Sequence, residues 1–366
     1  MRLLDRRLLL VGGVRYEHTR DTGRGVLNDP TAQYVKDARG NLVLTNGAPT
    51  LVTTDPLALR KLRYVERGAR ATRDYDGWYP SLNATYTITE NLLLRAAYAR
   101  TIGRPDLGLI IPGVSVSEPT AAQPTISVNN TGLKPWTGDN FDLSLETYAV
   151  KGGSGSIGVF RKDIRDFFGS VLSDATPELI ALYGLPVDPL YLNYDVATRT
   201  NVGRVRIIGY ELGYTQSLLF LPAWASGLQV FLNATRLELS GSNTADFEGY
   251  APRDYAGGIN LVRPRYSVKL SFTYQGETQQ NAVAANVGNG IPPGTFQYKA
   301  RVLRVGLNAQ YSLSPRLAVY GSINNLNGRG FVIGNRRYAA DTPEQMRTRR
   351  QQELGATVIL GVKGQL

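Results

Sequence analysis

The sequence predicts an all-β protein and, within that class, an antiparallel transmembrane β-barrel of about twelve strands. Apolar and polar residues alternate along many segments, which is the period of a strand whose two faces meet different surroundings. Short and long connections take turns along the chain, as in a barrel whose two ends differ. Helical periodicity is scarce, and no apolar run reaches the roughly 18 to 20 residues that a membrane helix requires.

The predicted strands follow one another along almost the whole chain. Each is an alternating segment bounded by turn or loop residues. In chain order they are 8–19, 78–88, 91–102, 140–148, 154–165, 202–216, 227–239, 254–262, 266–275, 301–312, 316–326 and 354–366.

The connections between these strands alternate strictly in length. The short ones are 89–91, 150–153, 263–265 and 313–315, with 218–226 slightly longer. The long polar ones are 20–77, 103–139, 166–201, 240–253, 276–300 and 327–353. Outer-membrane barrels have short periplasmic turns and long extracellular loops, so this order favours a barrel over a soluble sandwich.

The segment YSVKLSFTYQGE at 266–277 shows how the strands are expected to face the membrane. Tyr266 and Tyr274 are eight residues apart, which at about 3.3 Å per residue and a tilt near 40° places them roughly 20 Å apart along the barrel axis. That spacing is close to the ~25 Å apolar band between aromatic girdles. The predicted lipid face carries Tyr266, Val268, Leu270, Phe272 and Tyr274, and the predicted lumen face carries Ser267, Lys269, Ser271, Thr273 and Gln275.

The composition excludes several functional classes. The chain has no Cys, so a disulfide framework, a zinc ribbon and a thiol nucleophile are ruled out. The net charge is +11, but the basic residues are scattered and the densest cluster is only Arg347, Arg349 and Arg350. Nucleic-acid binding is therefore not expected. A basic outer surface beside anionic lipid headgroups or lipopolysaccharide accounts for the charge equally well.

Two motifs suggest enzyme chemistry, and both have simpler interpretations. Residues 153–158, GSGSIG, fit the G-x-G-x-x-G pattern, but a strand follows them where a dinucleotide site needs a helix N-terminus. His18, the only histidine, lies at the loop end of a strand and is interpreted as a surface imidazole. We expect no catalytic residue, no metal site and no cofactor, and the protein is predicted not to be an enzyme.

Several segments together resemble the barrel of TonB-dependent outer-membrane receptors. They are YPSLNATYTITENLLLRAAYARTIGRPDL (79–107), NTGLKPWTGDNFDLSLETY (130–148), GSIGVFRKDIRDFF (155–168), IIGYELGY (207–214), LFLPAWASGL (219–228) and SINNLNGR (322–329). The resemblance implies a receptor in the bacterial outer membrane that binds a scarce nutrient on its extracellular loops. In that family an N-terminal plug fills the barrel and is moved by the inner-membrane TonB complex.

The family barrel resembles the 22-stranded, plugged type, so about twelve strands correspond to its C-terminal part. We therefore expect residues 1–366 to form the C-terminal portion of a TonB-dependent receptor β-barrel domain, without a plug domain and without a signal peptide. TonB would then act only through the missing plug.

The last predicted strand, LGATVILGVKGQL, resembles the signal that the barrel assembly machinery recognises in this family. Its expected lipid face carries Leu354, Ala356, Val358, Leu360, Val362 and Leu366. The family usually ends in an aromatic residue, with another often two positions earlier. Leu366 and Gly364 occupy those positions here, which weakens the signal.

Two sets of residues are candidates for binding. Ionisable residues on the predicted lumen face are candidates for plug contact or a transport path, and a polar lumen is their simpler explanation: Arg95, Asp142, Glu146, Glu211, Lys269 and Arg304. Aromatic loop residues are weak ligand candidates, and packing between loops is the competing interpretation: Trp136, Tyr183, Tyr191, Tyr194 and Tyr250.

Two alternatives to the receptor hypothesis stay open. A complete smaller barrel could act as a pore, a translocator or an outer-membrane enzyme, whereas a soluble all-β binding protein conflicts with the one-sided long loops. The nutrient is not specified by the sequence, because loops diverge freely. A siderophore, cobalamin, an oligosaccharide and a peptide are all compatible with the family resemblance.

Overall fold

The computed structural model describes residues 2–121, 124–149, 151–222, 225–241, 247, 249–283, 291, 294–328 and 332–364. Within these residues, long strands follow one another as antiparallel neighbours in a single large sheet. They are β2 (Leu8–Asn28), β5 (Tyr64–Thr89), β6 (Leu92–Gly103), β9 (Trp136–Thr147), β10 (Gly153–Arg165), β13 (Arg204–Ser217), β14 (Leu228–Gly241), β15 (Arg253–Val262), β16 (Tyr266–Gln275), β19 (Val302–Ser314), β20 (Leu317–Asn324) and β23 (Thr357–Gly364).

The other elements are short and belong mainly to the connections. The strands are β1 (Arg2–Leu3), β3 (Leu44–Thr45), β4 (Ala48–Pro49), β7 (Val114–Val116), β8 (Thr125–Val128), β11 (Phe168–Asp174), β12 (Asp195–Asn201), β17 (Thr278–Ala282), β18 (Phe296–Lys299), β21 (Val332–Tyr338) and β22 (Thr348–Glu353). The helices in the described ranges are α1 (Pro56–Arg63), α2 (Leu107–Ile110) and α3 (Pro177–Leu182). None of these helices has the length and apolarity needed to cross a membrane.

The all-β prediction and the succession of about twelve antiparallel strands are confirmed. The predicted strand 266–275 coincides with β16, Tyr266–Gln275. The last strand is shorter than predicted, because β23 spans Thr357–Gly364. Leu366, a residue of the predicted terminal signal, lies outside the described residues.

Five of the six predicted long loops contain strands, which is the main correction to the predicted boundaries. The strands of the first hairpin continue far beyond the expected ends, to Asn28 in β2 and from Tyr64 in β5. A register shift between Gly25 and Val26 interrupts the pairing of β2 with β5 near the long-loop end of this hairpin. Strand pairs also occupy parts of 103–139, 166–201, 276–300 and 327–353. Backbone pairing needs no apolar face, so the strands extend past the point where hydrophobic alternation ends.

The register places apolar side chains beside apolar side chains across the sheet. Leu270 lies opposite Leu307 on one neighbour and Ile259 on the other, whereas Lys269 lies opposite Asn308 and Asn260. We call the face that carries Leu270 the outward face and the face that carries Lys269 the inward face. A shift of one residue would exchange the two faces, so the membrane environment opposes any slip.

The sheet is open in the described part of the chain. β2 pairs with β5, and β23 pairs with β20, but no pairing connects β2 with β23. On the other side of β2, only its two ends are paired in the described chain: its first two residues with β1 and its last two with β7. The long strands therefore form one open antiparallel sheet with two edges.

The buried apolar core lies at the long-loop end of the sheet and not between its strands. The buried cluster consists of Leu27, Val116, Ile126, Ala175, Ile180, Leu185, Tyr191, Tyr194 and Val196. The connections 104–135 and 166–203 contribute eight of these nine side chains, and Leu27 belongs to the loop end of β2. The first connection, 29–63, adds the buried residues Asp29, Pro30 and Thr31. We call these three connections, with the small sheet that joins them, the loop layer.

Candidate functional site

The loop layer is held together by backbone pairing between segments far apart in sequence. The top of β2 pairs in parallel with β7, with Leu27 opposite Val114. β7 pairs with β8, β8 pairs in parallel with β12, and β12 pairs with β11. The pairing therefore joins the first hairpin to the second and third long connections as one unit.

A buried hydrogen-bonded group fixes the first connection to the third. The Tyr191 hydroxyl donates to Asp29 Oδ2 at 2.5 Å and lies 2.8 Å from Thr31 Oγ1. Asp29 also accepts from the Thr31 backbone N–H at 3.0 Å, as the cap of a 3-10 turn. Burial, and the hydrogen bond to Asp29, raise the pKa of Tyr191. The Tyr191 hydroxyl is therefore protonated, and its hydrogen bond to Asp29 anchors the third connection to the first.

Tyr194 lies next to this group but contributes differently. Its ring meets the ring of Tyr191 edge-on, with centroids 5.9 Å apart. Its hydroxyl is buried and has no hydrogen-bond partner among the described residues. Burial raises the pKa of Tyr194. Tyr191 and Tyr194 are 1% and 2% exposed, so in this structure both rings pack the loops and present no surface to a ligand.

A cavity of about 740 Å³ lies between β2 and the second and third connections. It is large enough for a small organic ligand, since such pockets measure roughly 300 to 1,000 Å³. Tyr183 contributes an aromatic ring at its wall, and none of the side chains that line it in the described part of the chain is charged. The wall otherwise combines small apolar residues with amide and hydroxyl groups from Asn129, Asn130, Thr131, Thr198 and Thr200.

The second connection crosses the inward face of β2 beside this cavity. Gly23 and Gly25 lie on the inward face of β2, on the same side of the strand as Arg15. A Cβ on Gly25 would lie 0.9 Å from the carbonyl oxygen of Pro112. A Cβ on Gly23 would lie 3.0 Å from Ile111. Only glycine admits so close an approach of two backbones. The cavity therefore lies on the inward side, at the mouth of the sheet.

The other two aromatic candidates, Trp136 and Tyr250, pack against strand ends. Trp136 covers Gly103, where a Cβ would lie 1.9 Å from its ring, and stands 6.2 Å from the ring of Phe167. Phe167 in turn stacks on Phe247 at 4.5 Å. The Tyr250 hydroxyl donates to the Leu237 carbonyl oxygen at 2.9 Å. Both side chains are partly exposed at the long-loop end, outside the wall of the cavity.

The ionisable residues predicted to face the lumen all lie on the inward face, but only two of them meet. Arg95 Nε is 2.9 Å from Glu146 Oε1. Lys269 Nζ lies 4.9 Å from the ring centre of Phe231. The remaining members of the set, Asp142, Glu211 and Arg304, are spread over β9, β13 and β19. The six therefore line the inward face without forming one site.

Sequence reasoning missed a polar network on the inward face below the cavity. Glu17 pairs with Arg15 at 2.8 Å and with Arg104 from the second connection. Arg104 also donates to Thr19 at 3.2 Å. Long-range pairs of this kind leave no local sequence signal. The caps of the loop layer do leave one, since Asp29-Pro30 and Thr176-Pro177 match an N-cap followed by proline.

Comparison with known families gives one match over most of the chain. The sequence profile of the family described as "TonB dependent receptor-like, beta-barrel" matches residues 1–326. The ferric enterobactin receptor of Pseudomonas aeruginosa is 25% identical over 286 residues. That alignment covers 71% of this chain and 34% of the relative.

Solved structures give the same fold. A structure of the ferric enterobactin receptor of Pseudomonas aeruginosa with enterobactin has a TM-score of 0.56 and 17% identity, over 98% of this chain and 51% of that one. The copper transporter OprC has a TM-score of 0.58 and 14% identity, over 98% and 45%. The ferric-catecholate import receptor Fiu of E. coli K12 has a TM-score of 0.56 and 15% identity, over 98% and 42%. The chain thus spans about half the length of these receptors.

Proposed function

The chain belongs to the TonB-dependent receptor β-barrel family, whose barrels lie in the bacterial outer membrane, and we propose that it takes part in the uptake of a ferric siderophore. The substrate class rests on similarity to a protein named as a ferric enterobactin receptor. The role proposed for this chain is to provide membrane strands and the extracellular loops that first contact the ligand.

The observation that carries this proposal is the uncharged cavity at the mouth of the inward face. Its volume, its single aromatic ring and its amide and hydroxyl groups match the general pattern of a small-molecule site. The loop layer around it is prearranged by backbone pairing and by the buried Asp29 to Tyr191 contact, which lowers the cost of ordering loops on binding. Tyr183 is the candidate for direct ligand contact.

We further propose that the chain corresponds to the C-terminal part of the receptor barrel and acts without catalysis of its own. The open edges at β2 and β23 are consistent with a larger barrel that other strands complete. Energy from the inner membrane would reach this part through the plug of the complete receptor. The inward residues Arg95 and Glu146 are candidates for contact with that plug.

Ligand titration of the purified, detergent-folded full chain tests the proposal. Ferric enterobactin should quench intrinsic fluorescence saturably, and Tyr183→Ala should weaken binding about tenfold, equivalent to about 1.4 kcal/mol. Tyr148→Ala is the matched control, because Tyr148 is 51% exposed at the short-turn end. The control should bind like the unaltered chain.

Two results would overturn the siderophore assignment. Saturable binding of cobalamin or of a malto-oligosaccharide, with no response to ferric enterobactin, would reassign the substrate. Equal loss of affinity in Tyr183→Ala and Tyr148→Ala would remove the cavity from the binding site.

A further inference from the structure

A cluster of arginines stands on the outward face, directly above the part of the sheet that faces lipid. Arg161 and Arg165 of β10 lie on the outward face, on the same side of the strand as Ile157 and Val159. Arg204 and Arg206 of β13 lie on the outward face with Tyr210. With Asp163 and Ser240 they line a surface groove of about 410 Å³. We call this the basic groove.

The height of the basic groove places it at the headgroup level. Tyr210 lies on the outward face opposite Val159. The outward pair Tyr98 and Phe141, whose rings are 5.1 Å apart, lies in register with Arg161, two residues nearer the long-loop end. Arg206 comes four residues before Tyr210 in β13, toward the long-loop end, so it lies roughly 10 Å higher at about 3.3 Å per residue and a tilt near 40°. Aromatic girdles mark the edge of the apolar band, so Arg206 lies just beyond it.

The charges in the basic groove are arranged to leave donors available. Asp163 is bridged by Arg161 Nη2 at 2.7 Å and by Arg206 Nε at 2.7 Å, and Arg165 Nη2 lies 2.9 Å from Asp139. The three paired guanidinium groups are still 46% to 48% exposed. Arg204 has no acidic partner within the described residues.

These groups outnumber the carboxylates that they meet. Among the described residues, four guanidinium groups face the carboxylates of Asp163 and Asp139, which gives the basic groove a formal excess of two positive charges. Each guanidinium has five N–H donors in a fixed fork, and one carboxylate contact uses only part of them. The same fork matches the geometry of a phosphate.

We propose that the basic groove binds the phosphate groups of lipopolysaccharide lipid A in the outer leaflet. The occupant must approach from the membrane, because the groove opens on the lipid-facing side and sits immediately above the apolar band. Its anchors lie on paired strands, since Arg161 is opposite Ile208 and Asp163 is opposite Arg206. The guanidinium groups are therefore positioned before the lipid arrives, which reduces the ordering cost of binding.

The test is a lipid titration with the detergent-folded full chain. Bisphosphorylated lipid A should bind at least about tenfold more tightly than enzymatically dephosphorylated lipid A, and added salt should weaken the difference. Arg204→Gln/Arg206→Gln should lose most of that preference. The matched control is Arg265→Gln/Arg316→Gln, which removes the same charge from exposed positions at the short-turn end. The control should keep its affinity within about twofold.

Stability and specificity are separated by two further measurements. Arg204→Gln alone breaks no ion pair in the described chain, so a lowered preference for phosphorylated lipid in this variant supports the proposal without a folding defect. Inorganic phosphate at the same concentration should not compete, because it lacks the acyl chains that hold lipid A at the sheet. Equal binding of phosphorylated and dephosphorylated lipid A, or equal loss in the two double variants, would overturn the proposal.

Discussion

At the scale of single residues, Tyr191 and Tyr194 show that similar burial can conceal opposite energetic roles. Both rings are almost completely buried in the loop layer. Tyr191 donates to Asp29, whereas the Tyr194 hydroxyl has no partner among the described residues. A buried hydroxyl without a hydrogen bond costs free energy, whereas a bonded one contributes about 0.5 to 1.5 kcal/mol.

Replacing these tyrosines with phenylalanine should therefore give different results. We expect Tyr191→Phe to destabilise the loop layer by about 1 to 3 kcal/mol, because Asp29 then loses a buried donor. Tyr194→Phe should be neutral or stabilising. Hydrogen exchange of the amides around Thr31 measures both effects, and equal destabilisation by the two variants would contradict the assignment.

The raised pKa values of these two tyrosines predict a pH dependence. Burial raises both pKa values above the ordinary value of about 10. Ionisation of these two groups leaves the stability of the loop layer unchanged below about pH 10 and lowers it as the pH rises further, because the unfolded loops ionise first. Near-ultraviolet circular dichroism of the loop layer should therefore decrease above about pH 10, together with tyrosinate formation. Complete ionisation without loss of that signal would contradict the prediction.

At the scale of elements, the sequence specifies strands best where the two faces differ chemically. The alternation in Tyr266–Gln275 predicts β16 without error, because one face is apolar and the other polar. The upper half of β2, with Arg20, Thr22 and Arg24 on its outward face, has no such contrast and was expected to be loop. The cavity could not be predicted at all, since its walls meet through parallel pairing between distant segments.

The two faces of β16 should respond very differently to a charge. Leu270→Arg should impair membrane insertion, because an Arg turned to lipid near the midplane costs about 2 to 4 kcal/mol. Ser271→Arg, one residue further along the strand and on the inward face, should be tolerated. The yield of heat-modifiable folded protein in detergent or lipid is the measurement. Similar yields for both variants would contradict the assignment of the faces.

A second matched pair tests how β2 supports the loop layer. Gly25→Ala should displace the second connection, because the added methyl group would overlap the Pro112 carbonyl oxygen. Gly13→Ala is the control on the same face of the same strand, where no atom lies within 4 Å of the added group. Limited proteolysis near residue 112 should accelerate in the first variant only. Unchanged proteolysis in Gly25→Ala would show that the close approach is dispensable.

At the scale of the whole molecule, the open sheet distinguishes a larger barrel from a complete small one. β2 and β23 are not paired with each other in the described chain, and lipid does not tolerate unpaired strand edges. The refolded chain alone should therefore give no reproducible single-channel conductance step in a planar bilayer. A uniform conductance would instead indicate that the twelve long strands close as a small pore.

The long-range contacts in the loop layer also have a consequence for the order of folding. The strand hairpins join neighbours in sequence, whereas the Asp29 to Tyr191 contact spans 162 residues. Contacts of such long range form slowly, because the intervening chain must first be confined. We therefore expect the hairpins to form first and protease resistance of the loop layer to appear last. Acquisition of that resistance would then mark the end of maturation at the cell surface.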